Sequence, residues 1–207
     1  MIYVLQISIL LFSVIIHEVA HGYVAYKFGD NTAKLAGRLT LNPIPHIDIF
    51  GSIILPLCLM LFHAPVFGWA KPVPVNTRYF KNYKKNVILV SLAGVSANFL
   101  IAIISSIVMF IIRITLTDSA SVLVSAHYIL QYVVIINVVL GVLNLIPIPP
   151  LDGSRVFFFM LPKDLAYKYA KIEPYGFFII FALLAVGVLD KILMPIINFI
   201  ILILFKF

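Results

Sequence analysis

Residues 2–16 carry no charge, and apolar stretches of comparable or greater length recur at 87–112, 128–146 and 175–205, the last interrupted by Asp190 and Lys191. A helix needs roughly 20 mostly apolar residues to cross the hydrocarbon of a bilayer. No water is available there to satisfy the backbone, so only helices and closed barrels can span it. These runs do not alternate apolar with polar residues, which excludes barrel strands. The fold class is therefore an all-α membrane protein, a polytopic helical bundle. Composition agrees: 63% hydrophobic and 11% charged, with a mean hydropathy of +1.12, against about half and a quarter for soluble domains. At 207 residues the expectation is a single intramembrane domain over 1–207. Its core lies at about 2–160, followed by a C-terminal hydrophobic hairpin or broken span at 175–205.

The net charge of +7 in so apolar a chain points to anionic lipid headgroups and to topology rather than to nucleic acid, for which no motif is present. Basic residues concentrate in 27–38, 68–86 and 155–171. The positive-inside rule places all three in the cytoplasm. Residues 52–67 are apolar but short and contain Pro56. A full crossing there would put 68–86 outside, so 52–67 is expected to re-enter or insert peripherally. Residues 34–42 partly alternate and are expected to form a short strand or hairpin. The N-terminus lacks the basic region of a secretory signal. Cys58 is the single cysteine, so no internal disulfide can form.

Within the first span lies His17-Glu18-Val19-Ala20-His21-Gly22. Helical residues at i and i+4 share a face, so both imidazoles can reach one ion, with Glu18 beside them to act on a water. This is the H-E-x-x-H pattern of zinc hydrolases. Glu18 stands nine residues before the basic end at Lys27, about 14 Å along a helix, which places the motif inside the membrane. Ionisable residues at that depth mark function by default. Catalytic zinc usually has three protein ligands. Positions 24 and 27 are Val and Lys, so the extended metzincin pattern fails.

Asp152 is the expected third ligand. It follows Pro147, Pro149 and Pro150, which force the chain out of helix on the same side of the membrane as the histidines. The alternatives are Glu173 as ligand, or Asp152 as the N-cap of a helix starting near Ser154. Asn144 serves either the substrate backbone or an interhelical bond. Asn98, in a small-residue stretch, is assigned to an interhelical bond or to substrate binding beside Asn144. His46 and Asp48 read either as turn-capping residues or as support for the site.

His17-Glu18-x-x-His21-Gly22 and Asn144-x-x-Pro147-x-Pro149-x-Leu151-Asp152-Gly153 together resemble the paired motifs of the site-2 protease family of intramembrane zinc metalloproteases. Gly37 to Pro43, His46-Ile47-Asp48 and Gly68 to Val75 are similar to a compact prokaryotic branch without a PDZ domain. The resemblance covers roughly residues 10–160. It implies one zinc ion per chain, Glu18 as the catalytic base, His17, His21 and Asp152 as ligands, and membrane-embedded protein substrates cleaved in regulated proteolysis, such as anti-sigma factors or signal-peptide remnants. It also implies a multi-pass protein of the cell membrane with its active site toward the cytoplasm. Val95 replaces the proline usual in the Ala-Gly-Pro before Asn98. The competing readings are a metal-binding membrane protein without peptidase activity and a transporter with a midplane zinc site, the latter weakened by the lack of internal repeats.

Overall fold

The computed structural model describes residues 2–54, 57–58, 61, 70–115 and 120–206. Among these the chain is helical and contains no strand. The elements are α1 (Ile2–Lys27), α2 (Thr32–Leu35), α3 (Tyr83–Thr115), α4 (Ala120–Asn144), α5 (Asp152–Phe158), α6 (Lys163–Ala170), α7 (Gly176–Ala185) and α8 (Val188–Phe205). Single 3-10 or π-helical turns occur at Ile44–His46, Ile49–Ile54, Thr77–Tyr79 and Glu173–Tyr175. Four helices, α1, α3, α4 and α8, are long and apolar enough to cross a membrane. Their outward residues, such as Leu100, Ile104 and Phe199, are more than half exposed, the distribution expected of a surface that meets lipid rather than water.

The spanning helices pack through small and branched residues. Ala102 and Met109 of α3, Val134, Val138 and Val142 of α4, and Ile197 of α8 form one buried cluster. Gly141 lets α4 approach Phe99 so closely that an added Cβ would sit 3.0 Å from the ring, the close backbone approach that drives association where lipid tails compete with side chains.

The relative direction of α1 and α3 follows from their polar pairs. His17 pairs with Asn98 and His21, one turn later, pairs with Val90. Residue numbers rise on one helix as they fall on the other, so the two are antiparallel. The end of α1 and the start of α3 therefore share one end of the bundle, where Ala25, Phe80, Val87 and Val90 form a second buried cluster. The expected re-entrant stretch 52–67 lies largely outside the described residues.

The strand or hairpin expected over 34–42 is replaced by the helical turn α2 followed by bends. Glycine-based helix stops outweigh the alternating pattern. Gly29, at φ +100°, ends α1, with the Asp30 N–H on Ala25 O and the Gly29 N–H on Tyr26 O. Gly37, at φ +65°, ends α2 in the same way, with Arg38 on Ala33 O and Gly37 on Lys34 O. These are paired Schellman stops. Asp30, fully buried, accepts the Thr32 N–H at 2.9 Å, the Thr32 hydroxyl and the Asn76 N–H at 2.6 Å. It thereby starts α2 and anchors the segment that precedes α3.

Residues 70–76 run without helix alongside α1. The Lys71 N–H donates to His46 O at 2.9 Å, and Arg38 donates to Lys71 O at 2.5 Å. Gly22 makes this approach possible, because a Cβ there would lie 2.6 Å from Val73 Cγ1 and 2.8 Å from Leu39 Cδ2. At the C-terminus the break falls at Gly187, φ +72°, and not at Asp190-Lys191, which lie inside α8. Ten-residue α7 is too short to span, since a helix rises about 1.5 Å per residue.

Candidate metal centre

His17 and His21 project from one face of α1, as their spacing requires. The Nε2 atoms lie 3.0 Å apart. Asp152 Oδ2 is 3.1 Å from His17 Nε2 and 3.2 Å from His21 Nε2. Both histidines are buried, and Asp152 is largely so. Three chain segments meet here. α1 carries the rings, α3 closes over them, and the 145–151 turn returns Asp152 to their depth. Gly94 permits the closure, since a Cβ on it would sit 2.5 Å from His21 Nε2 and 2.6 Å from His17 Cε1. Gly153 permits the return, since its Cβ would collide with the backbone carbonyls of Leu145 and Ile146. Asp152 is the first residue of α5, with Leu151 in the cap position and no side-chain cap bond, so its carboxylate is directed to the histidines and does not cap the helix.

The outer nitrogens are both committed. His17 Nδ1 lies 2.6 Å from Asn98 Oδ1, and His21 Nδ1 lies 2.6 Å from Val90 O. With Nδ1–H donating outward in each ring, each Nε2 presents a lone pair to the centre. Two ring lone pairs and a carboxylate oxygen then face one another. Asp152 Oδ2 is buried with no hydrogen-bond donor among the described residues. Three buried acceptors at such separations repel unless a cation lies among them. Zinc at about 2.0–2.1 Å from tetrahedral N and O ligands would separate those ligands by about 3.3–3.4 Å, close to the triangle observed. His17, His21 and Asp152 are the metal-capable cluster among the described residues, and the donor set fits zinc.

Glu18 stands beside the cluster. Its Oε2 accepts the Val73 N–H at 2.8 Å, so the 70–76 segment fixes one carboxylate oxygen and leaves Oε1 without a hydrogen bond among the described residues.

The remaining candidate residues contribute no atom to the ligand triangle. Asn144 donates to Leu140 O of its own helix at 3.0 Å. Asn98 is fully buried and bridges His17 to Asn137, with its Nδ2 2.8 Å from Asn137 Oδ1. Asp48 accepts the Gly51 N–H at 2.7 Å and caps the turn at Ile49–Ile54. His46, fully buried, lies 2.9 Å from Thr40 O through Nε2 and braces the loop. Glu173 opens a 3-10 turn and is not in the cluster. The sequence reading missed Asn137, Gly94 and the Val73 N–H. Asn137 was detectable as an amide inside the apolar 128–146 run; the other two depend on which backbone segments approach α1, which no local pattern encodes.

The chain is 38% identical over 190 residues to the Bacillus subtilis (strain 168) protein named "Putative zinc metalloprotease YwhC", covering 91% of this chain and 84% of that one. The family model, Peptidase family M50, matches residues 108–187, a region that includes the Asn144–Gly153 motif. The chain belongs to peptidase family M50. A Mycolicibacterium smegmatis protein named "Putative zinc metalloprotease Rip2" is 29% identical over 190 residues, with 92% of this chain and 70% of that one covered. Rip2 of Mycobacterium tuberculosis (strain H37Rv) is 32% identical over 155 residues, 73% of this chain and 55% of that one. No solved structure matches the chain. Family M50 is the site-2 protease family whose paired motifs the sequence resembles. Membership makes the chain a zinc metallopeptidase and its four apolar helices those of a multi-pass membrane protein.

Proposed function

We propose that this chain hydrolyses peptide bonds in or near the transmembrane segments of membrane proteins, with His17, His21 and Asp152 holding one zinc ion and Glu18 acting as the base. The observation that carries the assignment of residues is the convergence of His17 Nε2, His21 Nε2 and a donorless Asp152 Oδ2 within 3.2 Å of one another. Zinc bound there supplies a Lewis acid that polarises a carbonyl and lowers the pKa of water. Glu18, held through Oε2 by Val73, takes the proton of the attacking water on Oε1 and passes it to the leaving amine. Asn98 orients His17, and Asn144, at the end of α4, is the amide available to a substrate backbone. The ligands and base all fall within residues 2–160, which we take as the catalytic core of a single domain.

The substrate class follows from depth. His17 and His21 sit within α1, a helix that meets lipid, and Asp152 opens the short α5 beside them, so a substrate must itself enter the bilayer and expose an extended stretch to the site. The test is cleavage of a membrane-embedded reporter by the purified full chain, as isolated, after chelation, and after zinc is returned. Cleavage lost on chelation and restored by zinc is the expected result; cleavage indifferent to chelation overturns the proposal.

Sidedness is part of the same proposal. Lys27, Lys81, Lys84 and Lys85 gather where α1 ends and α3 begins, which supports a cytoplasmic location for that end in the cell membrane. A cysteine at position 81 should therefore be labelled in inverted vesicles and protected in intact cells from an impermeant thiol reagent. Labelling in intact cells would reverse the orientation.

A further inference from the structure

Two backbone carbonyls face the imidazoles of the centre, one directly and one at a distance. Val90 O meets His21 Nδ1 at 2.6 Å. A carbonyl can only accept, so this contact requires Nδ1–H and leaves Nε2 for the ion. His17 has no carbonyl at its outer nitrogen. It has Asn98 Oδ1 at 2.6 Å, and an amide alone does not fix a tautomer, because it can turn over and present its NH2 instead.

What fixes it lies one helix further on. Asn137 Nδ2 is 2.9 Å from Val133 O and 2.9 Å from Ser13 Oγ. Val133 O accepts only, so the NH2 of Asn137 must face it, and Asn137 Oδ1 must face Asn98. Asn98 Nδ2 then donates to Asn137 Oδ1 at 2.8 Å, which turns Asn98 Oδ1 toward His17. The side chains of the relay are buried, Asn98 and Asn137 fully so and Ser13 and His17 nearly so. Turning either amide over would set carbonyl against carbonyl or NH2 against NH2 with no water to relieve it. Ser13 lies one turn before His17 on the same face of α1, so the chain also clamps α1, α3 and α4 together at the depth of the ring.

We propose that Asn137 is a positioning residue for the metal centre: through Asn98 it transmits the polarity of the Val133 carbonyl to His17, holding the ring with Nδ1–H outward and Nε2 free for zinc. This rests on His17 being a zinc ligand. An acceptor behind a ligating imidazole typically matters by about 10- to 100-fold in metal affinity. Asn137 acts one amide further away, so about tenfold is expected.

The test is zinc affinity of the full chain in detergent, measured by competition with a chromophoric chelator. Asn137→Leu should bind zinc about tenfold more weakly. Asn137→Asp should stay within about threefold of wild type, because a carboxyl kept neutral by burial can donate its O–H to Val133 O and still accept from Asn98 Nδ2, keeping Asn98 Oδ1 on His17. Asn137→Leu added to Asn98→Leu should weaken binding no further than Asn98→Leu alone, since the route to His17 is already cut. Wild-type affinity in Asn137→Leu, equal losses in the Leu and Asp variants, or additive losses in the double variant would each overturn the proposal. If His17→Ala binds zinc as wild type does, it is the ligand assignment that fails, and the two failures are thereby distinguished.

Discussion

Glu18→Gln should reduce reporter cleavage by about 10²- to 10⁴-fold, the range general acid–base groups contribute, while zinc content stays at the wild-type level. The substitution is isosteric, and the amide oxygen can still accept the Val73 N–H that holds Glu18 Oε2 at 2.8 Å. The side chain therefore stays in place and only its basicity is lost. Glu18 is not among the clustered ligand atoms, so the ion should be retained. Kinetics and metal analysis on the same preparation check both halves. Cleavage within tenfold of wild type would remove Glu18 from the mechanism, and loss of zinc would make it a ligand.

Gly94→Ala is the second large effect. The added methyl would stand 2.5 Å from His21 Nε2 and 2.6 Å and 2.7 Å from His17 Cε1 and Nδ1. The rings cannot retreat easily, because His17 is tied to Asn98 and His21 to Val90 on the same helix that carries Gly94. Either the ring geometry or the α1–α3 spacing must give. A displacement near 1 Å in such a site is worth about 10²-fold in rate, and weaker zinc binding should accompany it. Alanine is the better helix former by about 1 kcal/mol, so α3 itself should stay helical. Circular dichroism, zinc affinity and cleavage measured together check this. A Gly94→Ala protein with wild-type cleavage would mean that α3 does not close the site.

The legibility of this chain divides along the range of the interactions. The helix spacing of His17 and His21 is local, so the sequence displays it directly. Asp152 is remote, and two cues in the sequence point to it: prolines that free the backbone, and a charge distribution from which both motifs are expected on one side. Over 34–42 the partial alternation suggests a strand, but Gly29 and Gly37, whose backbone is left-handed, stop two successive helices. The supporting shell was largely invisible. Asn98 lies 81 residues from His17 and 39 from Asn137, and nothing in a linear pattern states which amides will meet. Gly94 looked like one of several small packing residues, because only the approach of α1 gives it two imidazoles as neighbours. The C-terminal break at Gly187 was misplaced onto Asp190-Lys191, since a charged pair can end outside the lipid while remaining in helix.

On the proposed assignment, two imidazoles from α1 and the carboxylate that opens α5 hold a single zinc ion. Zinc K-edge absorption on the loaded full chain, wild type against Asp152→Asn, reads that ligand set. One zinc per chain, a coordination shell of nitrogen and oxygen without sulfur in the wild type, and loss of bound zinc or an altered shell in Asp152→Asn are expected. An unchanged stoichiometry and spectrum in Asp152→Asn would contradict that assignment.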